Sequence, residues 1–218
     1  MTILPFKRAE NRQQHPPLIN LPPLTLYLMA AIILIQIAFT FAPASIVHVW
    51  GYNLAFVPAR YTNPEMFSVF AFTSLLTHLF MHGGWMHVIM NAAMLAAFGS
   101  ACERMFGRVR MMVFFLLSGF VGAFVQFALS PFSPIPMIGC SGALSGMFAA
   151  VIIRLMESGQ MPVGRFGIWG IAVFWVGLSY LTTLIGGQSG LGNVAWAAHG
   201  GGFVAGILLM KLTYFSRA

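Results

Sequence analysis

Residues 131–154 read PFSPIPMIGCSGALSGMFAAVIIR, and this stretch decides how the chain folds. It begins with three prolines, which are excluded from a helix interior because proline lacks an amide hydrogen and clashes with the preceding turn. The apolar run that follows, from Ser141 to Ile153, has only 13 residues before the charge of Arg154. A helix of that length spans ~20 Å, short of the ~30 Å hydrocarbon core of a bilayer. A membrane helix with this sequence is therefore predicted to begin inside the bilayer, next to an irregular loop.

The composition of the whole chain is that of a membrane protein. Of its 218 residues, 59% are hydrophobic and 7% are charged, whereas soluble domains carry about 25% charged residues. Polar joints divide the sequence into six apolar runs, at about residues 24–42, 85–102, 109–129, 141–156, 166–186 and 194–211. Most of these runs are long enough to cross a bilayer. The sequence therefore predicts an all-α membrane protein, a compact bundle of six transmembrane helices with a short fourth helix.

The connections between these runs differ in character. The segment from Pro43 to about Gly84 is long, aromatic and nearly uncharged, which predicts a partly helical first loop in the outer interface. The irregular backbone before Ser141 is tolerated at membrane depth only where protein covers it or water reaches it. We therefore predict a wet, outward-open cavity above Ser141. The membrane domain is assigned to residues 24–214, between a cytoplasmic tail at 1–23 and a short tail at 215–218.

The basic residues predict the orientation in the membrane. On a six-span arrangement, ten of the eleven lysines and arginines lie on one side, and only Arg60 lies on the other. The positive-inside rule places that basic side, with both termini, in the cytoplasm, and a bacterial inner membrane is the expected location. The net charge of +7 therefore reports topology and contact with lipid headgroups. Basic residues scattered in ones to threes do not form a nucleic-acid-binding surface.

Three polar residues lie at matched distances from the basic residue that marks the end of their apolar run. Asn91 precedes Arg104 by 13 residues, Ser141 precedes Arg154 by 13, and His199 precedes Lys211 by 12. At ~1.5 Å per residue, all three side chains lie ~18–20 Å from the charged boundary. Polar side chains inside a membrane mark functional sites, so three at one level indicate a reaction site.

Ser141 and His199 have the chemistry for such a site. Ser141 stands at a helix start, where unpaired backbone N–H groups can bind an oxyanion. A neutral imidazole hydrogen-bonded to a serine hydroxyl is a general base. The glycines around Ser141 also fit a role in helix packing, because Gly142 and Gly146 form a GxxxG contact motif. His199 could instead bond a backbone carbonyl or ligate haem or a metal. The chain has no aspartate and only four glutamates, none at this depth, so the catalytic interpretation is a Ser-His dyad.

Two further polar residues lie on the second apolar run. His87 and Asn91 are four residues apart and share one helix face. With the backbone N–H of Ser141, their side-chain N–H groups would make an oxyanion hole. Asn91 is also compatible with interhelical hydrogen bonding. A metal site made of His78, His82 and His87 is disfavoured because the spacing from 82 to 87 does not return to one helix face, and no cofactor is expected.

Four short motifs follow one another along the chain. They are His82-Gly83-Gly84-Trp85-x-His87-x-x-x-Asn91, Glu103-Arg104-x-x-Gly107, Gly139-x-Ser141-Gly142 and Ala198-His199-x-Gly201-Gly202-x-x-x-Gly206. Each motif alone is weak, but four in this order at matched depths are strongly specific. On these residues the chain resembles the rhomboid family of intramembrane serine proteases, and the resemblance covers residues from about 25 to 212.

The resemblance implies a compact six-helix bundle that cleaves transmembrane protein substrates near the outer membrane face. It makes Ser141 the nucleophile and His199 the general base and then the general acid. It makes His87 and Asn91, together with the Ser141 amide, the groups that stabilise the tetrahedral oxyanion. It also implies that the fifth helix is a lateral gate and that Glu103 caps the cytoplasmic loop.

Two positions depart from the pattern of that family. Some members carry Trp-Arg in the first loop, where Thr73-Ser74 stands here, so that anchor is missing or replaced. Some carry an aromatic residue four positions after the serine, which stacks on the histidine, and Ser145 stands there in this chain. The motif therefore does not explain the orientation of His199, and Trp196 and Phe148 are the candidates to supply it.

Other nucleophiles and other functions compete with this interpretation. Cys140, beside the serine, is a candidate thiol nucleophile, although it occupies the variable position of the motif. The alternatives to a protease are an inactive relative that binds membrane proteins, a transporter or channel, and a haem or metal membrane protein. The intact Ser141 and His199 argue against the inactive relative. The absence of a carboxylate at the predicted midplane disfavours ion coupling.

Overall fold

The computed structural model describes residues 20–162, 164–189 and 195–216. Within these ranges the chain forms ten α-helices: α1 Pro23–Phe41, α2 Ala44–Leu54, α3 Phe70–Thr77, α4 Trp85–Met94, α5 Ser100–Phe106, α6 Arg108–Leu129, α7 Ser141–Glu157, α8 Gly167–Ser189, α9 Trp196–Met210 and α10 Thr213–Ser216. A π-helical turn, Leu95–Gly99, joins α4 to α5 as one long rod. Most of the predicted N-terminal tail, and Arg217, lie outside the described residues.

The helices include several that are suited to crossing a membrane. Among the described residues, three are long and apolar enough to span it: Pro23–Phe41, Trp85–Phe106 and Arg108–Leu129. Shorter apolar stretches lie at Phe70–Phe80, which is α3 extended by one 3₁₀ turn, at Gly167–Thr182 within α8, and at Trp196–Met210, which is α9. The described part of the chain is therefore all-helical, and the protein is a multi-pass integral membrane protein. That six helices cross the membrane remains a prediction.

The helix that carries Ser141 starts late, after an irregular segment. Helix α7 begins at Ser141 itself and runs for 17 residues, which is ~25 Å of helix. The preceding loop is tied to the first loop by two backbone hydrogen bonds between Phe56 and Met137, with N···O distances of 3.0 and 2.8 Å. The amide of Gly139 also donates to the carbonyl of His78 at 2.8 Å. The protein's own backbone thus satisfies part of this non-helical stretch, as a membrane environment requires.

Glycines on facing helices let α7 and α9 approach closely. A methyl group at Gly202 would overlap the carbonyl oxygen of Gly142, and one at Gly206 would lie 2.3 Å from the carbonyl oxygen of Gly146. Real side-chain carbons do not approach oxygen so closely, so only glycine fits at these positions. The small-residue pattern of the sequence therefore has a packing role. The same approach brings the first turn of α9 beside the first turn of α7, which is where His199 and Ser141 lie.

Replacing Gly206 with alanine is expected to lower the stability of the bundle. The added methyl group forces α9 away from the backbone of α7, and overpacking of this kind costs about 1–3 kcal/mol. The thermal unfolding midpoint of the detergent-solubilised protein should fall accordingly. Gly177→Ala on α8 is the matched control, because nothing lies within 4 Å of its added methyl group. An unfolding midpoint of Gly206→Ala equal to that of Gly177→Ala would contradict close packing of α7 on α9.

The first loop is held by a buried arginine. Arg60 is only 2% exposed, and its guanidinium donates hydrogen bonds to backbone carbonyls at the end of α2 and at the start of α3. The acceptors are the carbonyl oxygens of Tyr52, Asn53, Ala55 and Phe70, at 3.1–3.4 Å. Three of these carbonyls belong to the end of α2 or the residue after it, where helix carbonyls lack intrahelical partners. Arg60 therefore supplies an anchor for the loop in a chain that has Thr73-Ser74 in place of Trp-Arg.

Glu103 has a structural role at the start of α1. Its carboxylate accepts hydrogen bonds from the backbone N–H groups of Leu24 and Thr25, at 3.0 and 2.7 Å, and from the hydroxyl of Thr25 at 2.9 Å. Proline at the N-cap of α1 offers no side-chain cap, so a carboxylate from α5 satisfies these unpaired donors. Glu103 thus joins α1 to the end of the α4–α5 rod, far along that rod from Asn91.

Candidate active site

Ser141 and His199 face each other across the α7–α9 contact. The Oγ of Ser141 lies 2.6 Å from Nε2 of His199, which is the distance of a short hydrogen bond. Ser141 is the first residue of α7, so its backbone N–H has no partner within the helix. Before it, Gly139 has a φ of 109°, a conformation that favours glycine. The turn therefore presents both a hydroxyl and free helix-start N–H groups at one point.

The second nitrogen of His199 has a partner on a third helix. Nδ1 lies 2.9 Å from Oγ of Ser179 on α8, and the Ser179 hydroxyl donates to the carbonyl of Trp175 at 2.9 Å. Of the two aromatic candidates, Phe148 packs on Trp175 and Trp196 packs on Tyr180, with ring centroids 4.9 and 5.6 Å apart. Both candidate rings thus pack on other aromatic residues, and the contact to the second nitrogen of His199 comes from a hydroxyl on α8.

Sequence reasoning missed Ser179, although a signal was present. Ser179 lies 14 residues after Arg165, and the three predicted site residues lie 12 or 13 residues from the charge that marks the end of their runs. The matched-depth argument therefore also selects Ser179 on the fifth run. Serine is common in membrane helices as local hydrogen-bonding glue, so the residue type alone does not draw attention to it.

Ser145, which stands where some members of that family carry an aromatic residue, connects α7 to α8. Its hydroxyl donates to the carbonyl of Ser141 at 2.8 Å and accepts a hydrogen bond from the indole Nε1–H of Trp175 at 3.0 Å. Ser145 is fully buried, so both contacts lie in the interior of the bundle. The wall of the site beside Ser141 is therefore fixed by a tryptophan from α8.

His87 and Asn91 lie on one face of α4, as their spacing predicts. Asn91 is 2% exposed, and its Nδ2 donates to the carbonyl of His87 at 2.9 Å. Its Oδ1 is 3.6 Å from the thiol of Cys140, the residue before Ser141. The His87 ring lies against the turn at Gly139, since a methyl group there would be 2.8 Å from Nε2 of His87. The α4 side chains thus approach the turn that carries Ser141.

One cavity joins these groups. It has a volume of about 740 Å³, and its wall includes His87, Asn91, Ser141, Ser179 and His199. The described residues that line it include no aspartate, glutamate, lysine or arginine. The cavity is large enough for a peptide segment, and α4, α7, α8 and α9 all contribute polar side chains to its wall.

Cys140 and His82 lie next to the site residues of α4. The Cys140 side chain is fully buried, with its sulfur 3.6 Å from Oδ1 of Asn91 and 3.9 Å from Nε2 of His82. The rings of His82 and His87 pack edge to face, with centroids 5.0 Å apart. In the described part of the chain, no group of three histidine, cysteine or acidic side chains is arranged to hold a metal ion. The neighbours of the Cys140 thiol are the Asn91 amide and the ring of His82.

Comparison with known proteins decides the family. The sequence model of the rhomboid-domain family matches residues 70–216, which is more than half of the chain. The chain belongs to the rhomboid family. Three relatives illustrate the range of that family. The rhomboid protease GluP of Bacillus subtilis is 29% identical over 132 residues, covering 61% of this rhomboid and 24% of GluP.

Two further relatives differ in what their names record. The rhomboid-family protein YdcA of Bacillus subtilis is 26% identical over 161 residues, covering 72% of this rhomboid and 73% of YdcA. Inactive rhomboid protein 1 of Drosophila melanogaster is 35% identical over 82 residues, covering 38% of this rhomboid and 6% of that protein. The matched region is about a quarter of GluP and a small part of the inactive protein. Because the family contains proteases and inactive members, activity has to be argued from the site itself.

Proposed function

We propose that this rhomboid is an intramembrane serine endopeptidase that hydrolyses peptide bonds of transmembrane protein substrates near the outer membrane face. The observation that carries the proposal is the 2.6 Å contact between Oγ of Ser141 and Nε2 of His199. The contact lies in a cavity that also holds amide and imidazole groups from α4. A nucleophile and a base within hydrogen-bonding distance are the minimal equipment for acyl transfer.

The proposed reaction proceeds in two stages. Nε2 of His199 takes the hydroxyl proton of Ser141 while Oγ attacks the carbonyl carbon of the scissile bond, and a tetrahedral oxyanion forms. The imidazolium then gives that proton to the leaving amine as the C–N bond breaks, which leaves an ester on Ser141. A water molecule, deprotonated by His199, attacks this ester, and the return of the proton to Oγ releases the new carboxyl terminus.

In the proposed reaction, hydrogen-bond donors around the start of α7 stabilise the oxyanion. The backbone N–H of Ser141 is unpaired within its helix, and the positive end of the α7 dipole lies at the same point. The Nδ2 group of Asn91 and the ring of His87 supply the remaining donors from α4. Preorganised donors of this kind are worth more in a water-poor site than in water, since they need no reorganisation as charge develops.

The proposed topology places the reaction at the outer side. Six spans with both termini in the cytoplasm follow from the apolar runs and from the basic residues along one edge. The substrate is then a single-span protein whose helix frays near the outer interface. Hydrolysis needs an extended peptide, and backbone that leaves the helix within lipid is tolerated only in a cavity such as the one above Ser141.

Reconstitution with a single-span model substrate tests the proposal. The purified protein in liposomes is expected to cut the substrate near its outer interface, with the site mapped by mass spectrometry of both fragments. A fluorophosphonate probe should label the wild type at Ser141 and leave Ser141→Ala unlabelled. An inactive relative that only binds membrane proteins would leave the substrate uncut, and its own Ser141 would not react with the probe. Equal cleavage by wild type and Ser141→Ala would reject the proposal.

A further inference from the structure

The imidazole of His199 is held at both nitrogens by serine hydroxyls from two different helices. Nε2 faces Ser141 on α7, and Nδ1 faces Ser179 on α8. Ser179 is 6% exposed, so its hydrogen bond to the ring lies in the interior of the bundle. The chain has no aspartate, and the carboxylate of Glu103 is engaged at the start of α1, so Ser179 stands where an acid stands in a triad.

The hydrogen bonds of Ser179 select one tautomer of the imidazole. A hydroxyl has one proton to donate, and that of Ser179 is directed to the carbonyl oxygen of Trp175. With the proton directed to Trp175, the hydroxyl oxygen accepts from the ring, which favours the tautomer that carries its proton on Nδ1. A neutral imidazole protonated at Nδ1 has its lone pair on Nε2, facing the hydroxyl of Ser141. This is the tautomer that a general base needs at that position.

We propose that Ser179 is a positioning residue that fixes the tautomer and ring orientation of His199. The inference rests on the proposed protease function, since it describes how the same dyad is made competent. Ser179 is placed to act through His199, because its hydroxyl contacts Nδ1 of the ring while the nucleophile faces Nε2. Its neutral hydroxyl orients the imidazole without placing a second charge in the site, which suits a membrane interior where an unpaired carboxylate is costly.

Replacing Ser179 separates positioning from packing. Ser179→Ala is expected to lower kcat for the model substrate by about 10- to 100-fold. The substitution removes one buried hydrogen bond to His199, so that the ring spends less time in the orientation and tautomer that the reaction needs. KM should change by less than about twofold, since binding of the substrate does not use this hydroxyl. Ser179→Thr retains the hydroxyl and should recover most of the kcat. Ser179→Cys keeps the volume but is a weak acceptor, so its kcat should resemble that of Ser179→Ala.

A matched control removes a similar hydroxyl elsewhere. The Thr40 hydroxyl on α1 donates to the carbonyl of Gln36 at 2.8 Å, four residues back, as Ser179 does to Trp175. Thr40→Ala therefore controls for loss of the intrahelical bond, and its kcat should equal that of the wild type. Wild-type kcat in both Ser179→Ala and Ser179→Cys would overturn the inference. So would a kcat of Ser179→Thr as low as that of Ser179→Ala.

The same assay distinguishes failure of this inference from failure of the proposed function. Cleavage that survives in Ser141→Ala would reject the protease itself. An inactive Ser141→Ala together with a fully active Ser179→Ala would leave the protease standing and reject only the positioning role. Fluorophosphonate labelling gives a second readout, because the labelling rate of Ser141 should fall in Ser179→Ala by the same factor as kcat.

Discussion

Replacing His199 with alanine is expected to abolish cleavage of a transmembrane substrate, with kcat lowered by about 10⁵- to 10⁶-fold. The imidazole is the only base within hydrogen-bonding distance of the Ser141 hydroxyl among the described residues, at 2.6 Å. Without it, the hydroxyl remains protonated and the leaving amine has no proton donor. Steady-state cleavage in liposomes measures the loss, and the thermal unfolding midpoint in detergent shows whether the bundle is intact.

The losses of kcat caused by removing Ser141 and by removing His199 are not expected to add. Residues that act as one unit lose nearly the full effect when either is removed, so Ser141→Ala, His199→Ala and the double variant should agree within a few-fold. The matched control is His48→Ala, which removes an exposed histidine on α2, away from the cavity, and should leave kcat unchanged. A double variant slower than either single variant by the product of their effects would show that the two side chains act independently.

The fold was largely predictable because the relevant signals are local. Prolines before residue 137 and an apolar run from Ser141 predict the start of α7, and α7 begins at that residue. The predicted runs also agree with α1, α6 and α9 to within a few residues. The helices α2 and α3 within the first loop were predicted only as partial helix, since that segment has no clean periodicity. Their placement depends on Arg60, whose acceptors are backbone carbonyls and leave no mark in the sequence.

The candidate site was predictable to the extent that depth and residue type coincide. Ser141, His199, His87 and Asn91 all line one cavity, and each was selected by its position in a run or motif. The role of Glu103 at the start of α1 was not predictable, because it depends on a contact between residues 78 or 79 positions apart. The contact that orients His199 was predictable only in part, because matched depth selects Ser179 on the fifth run, but the face that this helix turns toward α9 is set by packing against α7 and α9.

Replacing Asn91 with alanine is expected to lower kcat by about 10²- to 10³-fold, which is the usual cost of losing one oxyanion donor. In the proposed role, the amide binds charge that exists only in the transition state, so KM should remain close to that of the wild type. Asn91→Leu provides a second variant of similar volume, in case the smaller side chain leaves a cavity at this buried position. A loss confined to KM in both variants would indicate that Asn91 contributes to substrate binding and not to stabilisation of the oxyanion.

Cys140 supplies the matched control for Asn91 and decides between two nucleophiles. Its thiol contacts Oδ1 of Asn91, so Cys140→Ala removes a neighbour of the amide but keeps both Nδ2 and the Ser141 hydroxyl. A thiol is a weak donor, and its loss should reduce kcat by no more than about fivefold. If the thiol were the nucleophile, Cys140→Ala would be as inactive as His199→Ala and Ser141→Ala would retain cleavage. The opposite order of activities is expected, because the 2.6 Å contact to the base belongs to the serine oxygen.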